Sequence, residues 1–276
     1  MVKILIADSL SEKVVQMLKD AGNEVRKDPS ITEASLAQEI SDYNILIVRS
    51  KKVNRAAIEA AKGLSLIIRA GAGYNTIDVE AASEKGIYVC NTPGMNNDAV
   101  AELAMGHIIA CDRQIVANTT FLRNGEWKKK LFLECEGLRD RVLGIVGRGN
   151  IATSLTRIAK GMGMRVAMFS RSLSPAEAKE KGIEYCENLL DLARMSDAIS
   201  VHIAYKKPDT HHLINAEFFA AMKDGAIFVN SSRGEIVDTP ALIQAIKDKH
   251  LKVGLDVYEG EPAASVAPFE QTELAN

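Results

Sequence analysis

VLGIVGRGNIATSLTRIAKGMGMRVAMFSRS, residues Val142 to Ser172, places a strand, a glycine turn, a helix and a second strand in the order a dinucleotide site requires. Val142, Leu143, Ile145 and Val146 form a short apolar run suited to a strand buried on both faces. Gly147, Gly149 and Ala152 then fill the three small-residue positions of G-x-G-x-x-G/A. Gly147 permits the tight turn, Gly149 lets backbone amides approach a pyrophosphate, and Ala152 keeps the helix close to the sheet. The helix opens with Asn150 and Ile151, which join Gly147 and Gly149 in the expected cofactor set, and its positive N-terminus suits phosphate.

The second strand, Arg165 to Phe169, ends where NAD-specific sites place an Asp or Glu on the adenosine ribose. Ser170 and Arg171 stand there instead. An acid would repel a 2′-phosphate, whereas a hydroxyl and a guanidinium can both donate to it, so the expected cofactor is NADP ahead of NAD.

A chain of 276 residues exceeds one typical domain. With 47% hydrophobic and 25% charged residues, its composition is that of an ordinary globular protein. A formal net charge of −2 leaves no electrostatic footprint for nucleic acid or an anionic membrane, and Lys128, Lys129 and Lys130 read as a solvated turn. Cys90, Cys111, Cys135 and Cys186 lie far apart without a C-x-x-C pair, which fits a reducing compartment and no metal site. The first apolar stretch, Ile4 to Ala7, is stopped by Asp8 and is too short for a signal core or a membrane span. A cytoplasmic protein is expected.

The first ninety residues repeat a strand-helix rhythm. Strands are expected at Val2 to Ala7, Asn44 to Val48, Leu66 to Arg69 and Tyr88 to Cys90. Helices are expected after the Ser9 to Glu12 capping-box spacing and near Ile31 to Ile40, Asn54 to Ala61 and Asp78 to Lys85. Asn91-Thr92-Pro93-Gly94 is turn chemistry, followed by a long helix from Ala99 to Leu122. Beyond the glycine turn come strands near Ala198 to His202, Ala226 to Asn230 and Lys252 to Asp256, with Thr239 as N-cap and Pro240 as first residue of a helix. The fold class is α/β with two domains: a parallel-sheet substrate domain of the flavodoxin-like type over 1–92, and a doubly wound, Rossmann-type dinucleotide domain from 93 to 276.

Two strand ends of the second domain hold polar residues that packing does not explain. Arg233, past Phe228 to Asn230, can grip a carboxylate with two parallel hydrogen bonds; the alternative is a surface pair with Glu235. Asp256 closes another strand, with Glu261 five residues on, where a carboxylate can orient a nicotinamide amide or hold a histidine charged. The adjacent His211 and His212 read as a solvated loop, since consecutive residues point apart. In the first domain Arg49 and Arg69 end neighbouring strands of a parallel sheet and therefore reach one rim.

Gly71-Ala72-Gly73 before Asn75 and Asp78, the VGRGNIA turn, NSSRGEIVD and LDVYEGEP occur in the order seen in the D-isomer-specific 2-hydroxyacid dehydrogenases. The chain resembles that family over almost its whole length, and within it the 3-phosphoglycerate dehydrogenases most. The resemblance implies hydride transfer between a nicotinamide cofactor and C2 of a D-2-hydroxy acid in a cleft between two domains. It implies that Arg233 binds and polarises the 2-oxo acid, that Glu261 supports a catalytic histidine and that Asp256 faces the nicotinamide carboxamide. It also implies that Ala72 and Gly73 offer amides to the substrate carboxylate, that Asn96 lies in the cleft, and that the protein is a homodimer. Ser170 departs from the family's usual Asp. The family's acid/base histidine belongs to a Pro-His-Ile-Gly-like segment after the next strand, which these 276 residues do not contain. His107, His202, His211, His212 and His250 hold other positions, so a truncated chain lacking the last strand is expected. With Arg233 holding the carboxylate, Arg49 and Arg69 are explained by a second anionic group, which makes D-3-phosphoglycerate the expected substrate. The alternatives are a glyoxylate or hydroxypyruvate reductase and a non-catalytic dinucleotide-sensing interaction protein.

Overall fold

The computed structural model describes residues 1–133 and 135–261. The chain divides into two compact units, Met1–Asn96 and Asn97 onward. In the first, β1 (Lys3–Ile6), β2 (Glu24–Lys27), β3 (Ile45–Val48), β4 (Leu66–Arg69) and β5 (Tyr88–Asn91) form a parallel sheet in the order β2-β1-β3-β4-β5, the flavodoxin-like order. Helices α1 (Glu12–Asp20), α2 (Glu33–Glu39), α3 (Arg55–Ala60) and α4 (Val79–Glu84) connect the strands. Leu5, Leu46, Val48 and Ile67 face one core while Ile4, Ile6 and Ile47 face another. This two-sided burial is why these strands read as unbroken apolar runs. Ser11, rather than Ser9, caps α1 by accepting from the Lys13 amide.

The second unit begins with α5 (Asn97–Arg113) and α6 (Ile115–Arg123). The single helix expected from Ala99 to Leu122 is therefore two. Gln114, in the left-handed region at φ 50°, breaks the i→i−4 ladder between them. A parallel sheet follows, built from β6 (Val142–Val146), β7 (Arg165–Phe169), β8 (Glu184–Tyr185), β9 (Ala198–Val201), β10 (Ile227–Asn230) and β11 (Lys252–Leu255). Its order, β11-β10-β9-β6-β7-β8, is the doubly wound 3-2-1-4-5-6 arrangement, whose strand order reverses between β6 and β9. Helices α7 (Asn150–Gly161), α8 (Pro175–Glu180), α9 (Leu189–Met195), α10 (Ala216–Ala221) and α11 (Thr239–Lys249) complete the unit.

Two cores flank this sheet, one holding Val146, Val201, Phe218, Phe219 and Phe228, the other Leu143, Ile145, Leu155, Ile227 and Val229. Val142 and Val146 point one way and Leu143 and Ile145 the other, as strand geometry demands. Asp238, rather than Thr239, caps α11 by accepting from the Ala241 amide, which moves Pro240 to the second helical position. Thr239 is released to donate to Glu259 Oε2 at 3.0 Å.

Candidate active site

The reversal between β6 and β9 is where an open α/β sheet binds ligands, beyond its carboxyl strand ends. A cavity of about 570 Å³ lies there, walled by Val146 to Gly149, Phe169 to Ser172, His202 to Ala204 and Lys206. Gly147 has φ +113°, and a Cβ on it would lie 2.2 Å from the carbonyl oxygen of His202, so the turn needs a glycine on both counts. A Cβ on Gly149 would meet open space. Gly149 is also the N-cap of α7 and supplies no side chain to its first-turn amides, whereas Asn188, Asn215 and Asp238 cap α9, α10 and α11. A twelve-residue helix with uncapped amides at the mouth of an open cavity fits a dinucleotide diphosphate.

The expected cofactor residues divide accordingly. Gly147, Gly149, Ser170 and Arg171 line the cavity. Asn150 and Ile151 open α7 without being wall residues, and Ile151 packs against the core beneath the helix. Ser170 Oγ lies 3.4 Å from Ser172 Oγ. Arg171 is exposed, with its guanidinium 4.0 Å from Asp209. Asp256 follows β11 and is outside this cavity, its amide donating to the Asn230 carbonyl at 3.0 Å.

His202 forms part of the wall, and no pattern in the sequence marks it. Its Nε2 is 2.8 Å from Ser200 Oγ, its buried Nδ1 has no hydrogen-bond partner among the described residues, and burial pushes its pKa down to about 4. It is neutral at physiological pH, and its carbonyl is the atom that fixes the Gly147 turn. Burial likewise pushes the Cys111 and Cys186 thiols up to about 11, so neither is a thiolate nucleophile at neutral pH.

Arg233 leaves β10 in extended conformation. Buried Asn230 holds its loop: its amide nitrogen donates to the Arg233 carbonyl at 2.9 Å, and its oxygen accepts from the Ser232 amide at 3.0 Å. The guanidinium donates to Ser232 O at 2.6 Å, and Arg233 forms no ion pair with Glu235 among the described residues. β10 and β11 are in parallel register with Asn230 opposite Leu255, so Arg233 and Asp256 leave the sheet at one edge. Glu261 turns back, its Oε1 accepting from the Tyr258 amide at 2.7 Å. His212, expected in a solvated loop, is instead tied down by Glu259, Nε2 to Oε1 at 2.7 Å, with His211 stacked on it at 4.0 Å between centroids. Burial raises the Glu259 carboxyl, but the His212 and Thr239 hydrogen bonds outweigh it and hold its pKa below the usual range. Forty-seven residues separate His212 from Glu259, and no local pattern signals the pair.

In the first unit a cavity of about 330 Å³ is lined by Arg49, Arg69, Ala72, Met95 and Asn96 with their neighbours. The register explains the pairing of arginines: Val48 lies opposite Arg69, so Arg49 and Arg69 emerge at the same sheet edge. The Arg69 guanidinium folds across Gly71, where a Cβ would lie 1.8 Å from Nη1. Gly73 sits in the same turn and is not part of the wall.

Asp8, which reads in sequence only as the stop of β1, anchors this loop. Its carboxylate accepts from the amides of Arg49 at 2.8 Å, Ser50 at 2.7 Å and Lys51 at 3.1 Å. Burial raises the Asp8 carboxyl, but the backbone amides outweigh it and hold its pKa below the ordinary value. Such a group stabilises the fold above its unfolded pKa of about 3.9, and loses that effect as pH falls through its lower folded value. Asp8→Asn should therefore lower Tm at pH 7 by at least about 4 °C, with the gap to wild type narrowing below about pH 4. A gap that does not depend on pH would assign the loss to packing.

Among the described residues no helix is long and apolar enough to cross a membrane, and no group of three or more His, Cys, Asp or Glu is placed to hold a metal ion.

Residues 105–275 match the family described as D-isomer specific 2-hydroxyacid dehydrogenase, NAD binding domain. The chain is 39% identical over 264 residues to a D-3-phosphoglycerate dehydrogenase of Methanocaldococcus jannaschii, covering 95% of this chain and 50% of that one. It therefore spans half the length of that relative. To a glyoxylate reductase of Thermococcus litoralis it is 38% identical over 270 residues, covering 94% of this chain and 81% of the relative. A crystal structure of a glyoxylate reductase from Paecilomyes thermophila superposes with a TM-score of 0.82 at 29% identity, covering 100% of this chain and 85% of that one.

Proposed function

This chain belongs to the D-isomer-specific 2-hydroxyacid dehydrogenases, and we propose that it transfers a hydride between a nicotinamide cofactor, NADP ahead of NAD, and D-3-phosphoglycerate. When bound, the nicotinamide ring donates or accepts the hydride. Gly147, Gly149, Asn150 and Ile151 would present the turn and helix amides to its diphosphate, Ser170 and Arg171 would meet the 2′-phosphate, and Asp256 would orient the carboxamide. Arg233 holds the substrate carboxylate and polarises the C2 oxygen, Ala72 and Gly73 offer amides to the carboxylate, and Asn96 lines the substrate cavity. Glu261 would support the acid/base histidine that the family resemblance implies, a residue outside the 276 of this sequence. The exposed apolar side chains Ile115, Val116 and Leu122 on α6, with Trp127 beyond it, support a homodimer.

The observation that carries the choice of substrate is the cavity shared by Arg49 and Arg69, two guanidinium groups where a 3-phosphate needs cationic partners. Glyoxylate and hydroxypyruvate have no such group. For the full-length protein, 3-phosphohydroxypyruvate should lead hydroxypyruvate by at least about tenfold in kcat/KM, and Arg49→Ala or Arg69→Ala should remove most of that lead. Equal efficiency with both substrates would move the assignment to a glyoxylate or hydroxypyruvate reductase.

A further inference from the structure

Three cations wall the cavity at the glycine turn, and they differ in what already holds them. Arg148 is committed: its Nη1 donates to the Ser172 carbonyl at 2.8 Å and to Glu177 at 2.6 Å. Arg171 is drawn toward Asp209, 4.0 Å away. Lys206 has no acidic partner among the described residues.

Lys206 and Asp209 belong to one closed turn. The Lys206 amide donates to Thr210 Oγ1 at 2.7 Å, the Thr210 amide returns to the Lys206 carbonyl at 2.9 Å, and Thr210 Oγ1 also donates to the Ala204 carbonyl at 3.1 Å. The approach of Asp209 to Arg171 places this turn beside the Ser170 to Ser172 loop, the position that reads the ribose 2′ substituent.

We propose that Lys206 and Asp209 are a pair of opposed specificity determinants: Lys206 donates to the 2′-phosphate of NADP, while Asp209 draws Arg171 away from it. The inference rests on the NADP reading of Ser170 and Arg171. An ammonium with no acidic partner among the described residues meets a phosphate without breaking an ion pair there, whereas Arg171 must leave Asp209 first. That exposed pair is weak, so Asp209 costs little affinity, and Lys206 carries the larger effect.

The test is fluorescence titration of NADPH and NADH against wild type, Lys206→Gln, Asp209→Asn and Ser170→Asp, with thermal melts to confirm folding. Lys206→Gln should raise the Kd of NADPH about tenfold and leave NADH within about twofold, as expected for one charge-assisted contact to the 2′-phosphate. Asp209→Asn should lower the Kd of NADPH about threefold, a tightening that structural damage would not produce. An equal loss for both cofactors in Lys206→Gln would put the ammonium on the shared diphosphate and overturn the proposal, as would unchanged affinities in both variants. Ser170→Asp reports on the NADP reading separately. If it reverses a wild-type preference for NADPH while Lys206→Gln changes nothing, the reading stands and the inference falls. If wild type binds both cofactors equally and Ser170→Asp is silent, the reading falls, and a selective effect of Lys206→Gln on NADPH would still support the lysine.

Discussion

Gly147→Ala should weaken NADPH binding by about 10²-fold or more, because the turn would lose at least two backbone hydrogen bonds to phosphate, each worth about 1.5–3 kcal/mol. The cause is local. The added methyl would lie 2.2 Å from the His202 carbonyl, and an L-residue at φ +113° is strained whatever the space around it. His202 is buried and its amide donates to the Val146 carbonyl at 2.8 Å, so its own carbonyl has little room to retreat. The turn must move instead, carrying the Gly149 and Asn150 amides off their positions. Isothermal titration with NADPH, alongside a thermal melt, separates this from global unfolding. Retention of affinity within about threefold would show that the turn is not the phosphate cradle.

Arg233→Ala should lower kcat/KM by about 10²- to 10³-fold, the effect of removing one donor that stabilises a developing oxyanion. Affinity for NADPH should stay unchanged, since Arg233 is not a wall residue of the cofactor cavity. Stability should also be nearly unchanged: the side chain is exposed, and the loop is held by Asn230 through the Arg233 backbone carbonyl, which alanine retains. Arg233→Lys should recover only part of the loss, because an ammonium cannot offer two parallel donors to a carboxylate. Steady-state kinetics with a parallel NADPH titration checks both halves. A rise in the Kd of NADPH would show instead that Arg233 serves the cofactor.

The glycine turn at Gly147 and the strand-end position of Arg233 are legible in the sequence for physical reasons. Gly147 is one of three small residues at fixed spacing after a run buried on both faces, and such runs carry the strongest signal that a parallel sheet leaves. Arg233 follows another such run, where a guanidinium has no packing role. Arg49 and Arg69 could be paired from sequence because parallel register carries adjacent strand ends to one edge, and the structure brings them into one cavity.

What was missed lacks such a signal. β2, with the sequence EVRK, and the two-residue β8 are sheet edges, only partly buried and polar, so neither shows apolar contrast. The break at Gln114 falls in a stretch with no glycine or proline to mark it. Asp8, His202 and the His212–Glu259 pair acquire their contacts only through partners brought close by the fold. Asp8 lies forty-one residues from Arg49, and its carboxylate orders the loop that presents that arginine. No period in the chain encodes such a contact.

The most direct measurement follows a labelled hydrogen. The full-length protein is given NADPH dideuterated at C4 of the nicotinamide together with 3-phosphohydroxypyruvate, and the product is read by mass spectrometry and chiral separation. The account predicts D-3-phosphoglycerate carrying one deuterium at C2. Product without deuterium at C2, an L-configured product, or deuterium transfer to glyoxylate but not to the phosphorylated acid would contradict it.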